Sequence, residues 1–211
     1  MTSRKTYGQF CGLARSLDRV GDRWTLLVVR ELLLAPRTYR ELSQALEGIS
    51  PNLLSHRLRA LAEEGLVQRN DAPARSKTVM FRLTDAGEAL EPVVLELIRW
   101  GARWMINGAA GDLVDARWTL LALRALLDGT RTRERRDGIV HIDANGVPLT
   151  IRMRGGKRSV HPGFEGASRA SVSAPMTALL SAACGQGGLH GPDIQIDGDI
   201  AFIGDALVAG Q

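Results

Sequence analysis

The sequence predicts an α+β chain of two domains, residues 8–107 and 112–211, and three observations carry that reading. Short amphipathic helices lead into a well-capped helix that begins at Ser50, and two alternating segments follow it. The stretch N-G-A-A-G-D, Asn107 to Asp112, is rich in turn formers, and composition changes after it. Beyond it, one amphipathic helix precedes several short strands and then alternating helix and strand, an α+β order.

Gly12 to Val20 places Leu13, Leu17 and Val20 on one helical face, Gly21-Asp22 interrupts, and Arg23 to Leu34 resumes with Trp24, Leu27, Val28 and Leu32. Pro36 ends that helix. Thr38 with Glu41 three positions on is a capping-box pattern that opens a short helix, Tyr39 to Leu46. Glu47-Gly48-Ile49 then turns the chain into S-P-N-L-L-S-H-R-L-R-A-L-A-E-E, Ser50 to Glu64. Ser50 suits the N-cap, and Pro51 at the first helical position loses no hydrogen bond by lacking an N–H. Leu54, Leu58 and Leu61 form an apolar stripe; Asn52, Ser55, His56 and Arg59 form a polar one. One face packs, and the other presents donors suited to base edges or phosphates with carboxylates only at the far end, Glu63 and Glu64. A short helix, a tight Gly-containing turn and a second helix with a polar stripe is a helix-turn-helix unit.

Gly65 supplies a helix stop. Leu66 to Arg69 and Val79 to Leu83 read as the strands of a hairpin with a long polar tip. Arg75 and Lys77 on that tip suit a wing that grips phosphate or the adjacent minor groove; the alternative is two solvated charges on a loop. Thr84 caps the next helix, expected to run to about Asn107 with a bend at Pro92. Its residues Leu90, Val94, Leu97, Gly101 and Trp104 recur at 4, 3, 4, 3 spacing, the seam of a helix packed along a partner helix, so a dimer contact is expected there. Packing on its own domain is the alternative.

In the second half, Asp115 to Leu127 reads as a helix. Ile139 to Asp143 and Val147 to Arg154, joined by Asn145-Gly146, read as a hairpin with Leu149, Ile151 and Met153 on one face. Lys157 to His161, Ala170 to Ser173 and Ile194 to Asp197 are further strands, expected to be largely antiparallel. Pro175 to Cys184 and Ile200 to Val208 are the last helices.

Charge divides unevenly. Residues 1–107 hold 16 Lys/Arg and 12 Asp/Glu, an excess of four, whereas the remainder holds 11 of each. The basic excess lies in the half with the capped helix, as expected if that half meets a polyanion; a merely Arg-rich composition is the alternative. No run approaches the length of a membrane span and the N-terminus lacks a secretion signal, so a cytoplasmic protein with no membrane partner is expected. Cys11 and Cys184 lie far apart with no CxxC spacing, so free thiols are expected. His56, His141, His161 and His190 show no metal-ligand spacing, and no G-x-S-x-G elbow or P-loop is present; Gly155-Gly156-Lys157-Arg158 lacks the P-loop spacing. No enzyme activity, metal or cofactor is expected.

The ordered motifs C-G-L-A-R-S-L-D-R-V-G-D-R-W-T-L-L-V-V-R-E-L-L-L, R-T-Y-R-E-L, G-I-S-P-N-L-L-S-H-R-L-R-A-L-A-E-E-G-L-V and F-R-L-T-D-A-G resemble the HxlR-type winged-helix transcription regulators over residues 8–107. The resemblance implies a dimer whose recognition helices enter successive major grooves of a palindromic operator, with the long helix at the dimer interface. It assigns base reading to Asn52, Ser55, His56 and Arg59, places Ser50 and Pro51 near the backbone, and makes Arg75 and Lys77 wing residues. Cys11 resembles the N-terminal cysteine with which some members sense electrophiles or oxidants; a small buried core residue is the alternative.

A-S-V-S-A-P-M-T-A-L-L-S-A-A followed by I-Q-I-D-G-D-I-A-F-I-G-D-A-L resembles the sterol carrier protein type 2 fold, a sandwich-like α+β domain. That resemblance implies an apolar cavity between sheet and helices, with Trp118, Met153 and Phe164 as candidate lining residues or plain core. The expected function is a dimeric DNA-binding repressor whose second domain binds a small hydrophobic effector that modulates it or else extends the dimer interface; the alternative is a carrier of lipid or another apolar ligand with a non-reading helical domain.

Overall fold

In a computed structural model, which describes residues 6–71, 79–105 and 112–208, the capping signals of the N-terminal half are realised one by one. Helix α1 spans Gly12–Val20 with Cys11 at its N-cap, and α2 spans Thr25–Leu34. The second helix starts later than the expected Arg23 because Trp24 takes the left-handed conformation, φ 76°, and so cannot belong to the helix. Strand β1, Arg37–Thr38, leads into α3, Tyr39–Ala45, whose capping box is complete: the Thr38 hydroxyl accepts from the Glu41 amide and the Glu41 carboxylate accepts from the Thr38 amide. Helix α4 spans Pro51–Glu63. Gly65, at φ 70°, ends the helical run in the conformation that glycine adopts without strain.

Strands β2, Val67–Asp71, and β3, Val79–Leu83, pair antiparallel, and β1 pairs with the other edge of β3 in the order β1-β3-β2. Leu42, Leu46, Leu54, Leu58, Leu61, Val28 and Val29 are buried together with Leu83 and make the core of this unit. Glu31 is buried too, held by the Arg30 guanidinium at 2.8 Å and faced by Arg37 at 3.7 Å. A buried carboxylate needs such partners.

The helix expected to run unbroken from Thr84 is two helices, α5, Asp85–Glu88, and α6, Glu91–Met105. Pro92 makes no bend. It sits in the first turn of α6, where an amide would have no intrahelical partner in any case, so the chain breaks before the proline rather than kinking at it.

The chain divides into two compact units, Met1–Val94 and Leu95–Gln211. In the second, Asp115 caps a 3₁₀ turn, Ala116–Trp118, which runs into α7, Thr119–Leu127. Strands β4, Gly138–Ala144, β5, Val147–Arg154, β6, Lys157–Pro162, β7, Ala170–Ala174, and β8, Gln195–Gly198, form one sheet in the order β6-β5-β4-β7-β8. Helices α8, Met176–Ala183, and α9, Ile200–Leu207, complete the unit. Asn145 at φ 53° and Gly146 at φ 84° form the left-handed turn that joins β4 to β5.

One expected pairing differs: β7 runs parallel to β4. From β6 at one edge the chain crosses to the far side of β4 through Gly163–Arg169, and a crossover of this kind returns a strand parallel to the one it joins. Val140, Ile142, Leu149, Ile151, Val160 and Val172 share one face of the sheet and are all buried. Phe202 of α9 packs there; a Cβ on Gly138 would stand 2.7 Å from its ring, so that position has no room for a side chain.

Candidate nucleic-acid interface

Helix α4 is built to show one side. The Ser50 hydroxyl accepts from the Leu53 amide at 3.3 Å, and Pro51 is the first helical residue. Leu54, Leu58 and Leu61 are buried, whereas Asn52, Ser55, His56 and Arg59 are all exposed, as are Ser50 and Pro51. The 3.6-residue period of the sequence therefore becomes a helix with an inward apolar stripe and an outward polar one.

Side-chain contacts at three places along it, around Tyr39, Arg57 and Glu64, hold that helix in place, and the sequence reading anticipated none of them. Tyr39 of α3 donates its hydroxyl to the Pro51 carbonyl at 2.8 Å, and the Ser55 hydroxyl reaches the Tyr39 oxygen at 3.4 Å. Arg57, on the flank of α4, donates Nε to the Arg23 carbonyl at 3.2 Å and pairs with Asp22. Farther along, Glu64 pairs with Arg19 of α1. The capping box had located Tyr39 in the first turn of α3, but a partner 12 residues away leaves no periodic trace.

Arg75 and Lys77 lie outside the described residues. The described parts of β2 and β3 leave Arg69 and Arg82 exposed beside that tip, so the hairpin stem carries positive charge of its own.

Along α6 the expected seam is divided. Val94 is 5% exposed and packs within its own chain, Leu90 and Gly101 are half-buried, and Leu97 and Trp104 are exposed. The exposed apolar stripe runs through Val93, Leu97, Trp100 and Trp104, about 50° around the helix from the predicted one at 3.6 residues per turn. The Trp100 and Trp104 rings meet edge to face at 4.5 Å, with the Arg103 guanidinium over both. The buried or half-buried side chains Val94, Leu95, Ile98 and Ala102 lie on the opposite side of the helix from that stripe, and Arg99 at their edge donates to the Ala125 carbonyl of α7 at 2.6 Å. On α1, Val20 is buried but Leu13 and Leu17 are exposed.

Cys11 is exposed at the α1 N-cap and Cys184 half-buried at the C-cap of α8; both are free thiols. Burial pushes the Cys184 thiol up.

The candidate ligand-lining residues are not brought together. Met153 is buried on the inner face of the sheet, Phe164 is exposed on the outer face and stacks on His141 at 4.7 Å, and Trp118 is half-buried before α7. The loop that carries Phe164 is tied down by Thr150, whose hydroxyl donates to the Gly163 carbonyl at 2.8 Å and accepts from the Glu165 amide at 3.0 Å. A pocket of about 280 Å³ does exist elsewhere in this unit, lined by Arg133, Glu134, Ala201, Gly204, Asp205 and Val208. Among the described residues no group of three or more metal-binding side chains occurs, and no helix is long and apolar enough to cross a membrane.

Residues 19–108 match the family described as HxlR-like helix-turn-helix. YvaP of Bacillus subtilis, described as an uncharacterized HTH-type transcriptional regulator, is 34% identical over 91 residues, 43% of this chain and 84% of its own length. Rv3095 of Mycobacterium tuberculosis, also described as an uncharacterized HTH-type transcriptional regulator, is 38% identical over 93 residues, 44% of this chain, and this chain spans only 58% of it. Among solved structures, the reduced form of the transcriptional regulator YodB from B. subtilis aligns over 48% of this chain and 100% of its own, at 27% identity and a TM-score of 0.42. By the family match and the share of YvaP that it covers, the chain belongs to the HxlR-like helix-turn-helix family of transcriptional regulators.

Proposed function

We propose that the chain is a dimeric, sequence-specific DNA-binding repressor, and that it works by binding rather than by catalysis. The observation that carries this reading is the outward face of α4, where Asn52, Ser55, His56 and Arg59 stand exposed on a helix whose opposite face is sealed. Asn and Arg are the side chains that make paired hydrogen bonds to adenine and guanine edges in the major groove. Ser50 and Pro51 sit near the phosphates at the helix start, and Arg75 and Lys77 are the proposed wing contacts.

The dimer forms through apolar surface that one chain leaves open. Leu13 and Leu17 on α1, and Leu97 and Trp104 together with Val93 and Trp100 on α6, are exposed, and stripes of this size call for a partner. Two recognition helices about one duplex turn, roughly 34 Å, apart would then read a palindrome. The C-terminal unit, a five-stranded sheet with α9 packed across its central strands, supports the resemblance to the sterol carrier protein type 2 fold. A small apolar effector bound there would act only by preferring one spacing of the two reading helices. Cys11, exposed at the start of α1, is the proposed redox-responsive residue; unchanged DNA affinity after oxidant treatment would dispose of that role.

The test is a gel shift on the DNA upstream of the chain's own gene. The wild type is expected to bind with steep salt dependence and Arg59→Ala to lose the shift. A shift indifferent to both Arg59 and Asn52 would remove α4 as the reading element.

A further inference from the structure

The C-terminal unit concentrates positive charge on one strip that the reading of α4 does not use. Residues 108–211 carry as many acidic as basic side chains, yet Arg131, Arg133, Arg135, Arg154 and Lys157 all stand exposed on two stretches of chain laid side by side. Residues 129–137 run along the turn between β5 and β6. Gly129 N donates to the Arg158 carbonyl at 3.0 Å, Thr132 N to the Gly156 carbonyl at 3.0 Å, and Arg158 N to the Thr130 carbonyl at 3.2 Å. Arg131 stands opposite Lys157, and Lys157 pairs in register with Arg154. Thr132 turns inward and is buried, which leaves Arg131 and Arg133 pointing out on either side of it.

The nearby carboxylates are already engaged. Glu134 pairs with Arg136, Asp137 accepts from the Gly155 amide at 2.8 Å, and buried Asp205 accepts from the Arg133 amide at 2.7 Å. Among the described residues none of the five cations makes an ion pair. Beneath them Arg158, 2% exposed, donates to the Thr130 hydroxyl at 2.8 Å, to the Arg131 carbonyl at 2.9 Å, and to the Asp205 and Val208 carbonyls at 2.7 Å each. The backbone that carries the charges is therefore fastened to the end of α9 before any partner arrives.

We propose that this strip is a second nucleic-acid contact, one that holds the phosphate backbone of duplex DNA without reading bases; it rests on the chain being a DNA-binding regulator. Four of the five cations are arginines, whose planar fork suits phosphate oxygens. The two stretches that carry them, residues 129–137 and 154–158, contain no aromatic residue on which a base could stack and no large apolar side chain of the kind a protein interface centres on, so backbone contact is the mode that fits.

The test uses the full chain and a duplex carrying its upstream DNA, with affinity measured by fluorescence anisotropy between about 50 and 200 mM salt. A variant carrying Arg131→Gln, Arg133→Gln and Lys157→Gln removes three contacts. It should lower the slope of log affinity against log salt by about 2.7, so that over this range it loses about 40-fold less affinity than the wild type. A counterpart with Arg131→Lys and Arg133→Lys, which keeps the charge, should retain the wild-type slope and guards against a merely structural effect. If the triple variant keeps the wild-type slope while Arg59→Ala still abolishes preference for the upstream DNA, the strip has another partner class and this proposal is overturned with the α4 reading intact. If the wild type binds no duplex, both fall.

Discussion

The Tyr39 hydroxyl donates to the carbonyl oxygen of Pro51 across 2.8 Å, joining the first turn of α3 to the first turn of α4. The Ser55 hydroxyl closes on the same Tyr39 oxygen at 3.4 Å. The angle between the two helices of the helix-turn-helix unit is thus held by one phenol as well as by the leucines between them. Tyr39→Phe keeps the ring and deletes the bond, so it should cost about 0.5–1.5 kcal/mol in urea unfolding. It should also weaken DNA binding if α4 reads DNA as proposed, because that helix loses a constraint at the end nearest Asn52.

Arg158 offers a harsher case. Its guanidinium is buried and donates to four groups in two segments, Thr130–Arg131 and the end of α9, and burial lowers its pKa against the pull of Asp205. Arg158→Met would leave the Asp205 and Val208 carbonyls without these donors and the Asp205 carboxylate without its nearest buried cation. Each buried acceptor left without its donor costs about 1–3 kcal/mol. Thermal unfolding should show the C-terminal unit melting first, with α4 still competent to bind DNA.

Much of this architecture could be read from residues alone, because the signals were local. The helix at Gly12–Val20, the Thr38/Glu41 box, the Ser50-Pro51 start and the Asn145-Gly146 turn each depend on a few neighbouring side chains. What escaped was long-range or too short for a period. Strand β1 has two residues and exists only because β3 is there to pair with. The parallel match of β4 with β7 depends on a crossover, not on either strand's pattern. The exposed stripe on α6 lies a fraction of a turn from the expected seam because which side chains are covered depends on packing around Val94 and Ile98, which periodicity alone does not carry. Met153 and Phe164 looked alike as apolar candidates, yet strand parity and the loop at Gly163 send them to opposite faces of the sheet.

Asp199 makes the stability of the C-terminal unit sensitive to acid. The Phe202 amide, at 3.0 Å, is the main reason its carboxyl lies below the usual value; partial desolvation opposes this, and Arg169 at 3.0 Å and Arg136 at 3.7 Å add to it. Because folding lowers this pKa, the folded state binds the proton less tightly than the unfolded chain. The contribution is therefore present in full above the ordinary Asp value, about 3.9, and is lost as pH falls through the lowered folded value. Urea titrations at stepped pH should find Asp199→Asn less stable than wild type near neutrality, with the gap closing in acid; a gap independent of pH would count against the charge.

The most direct test of α4 as the reading element is the ratio of affinity for the upstream duplex to affinity for a scrambled duplex of the same length. With Asn52→Ala and Arg59→Ala combined, that ratio should fall by at least about tenfold, since each good base contact contributes about 1–3 kcal/mol of discrimination, while affinity for the scrambled duplex falls far less. An unchanged ratio in a folded double variant would contradict the assignment of that face of α4 to base recognition.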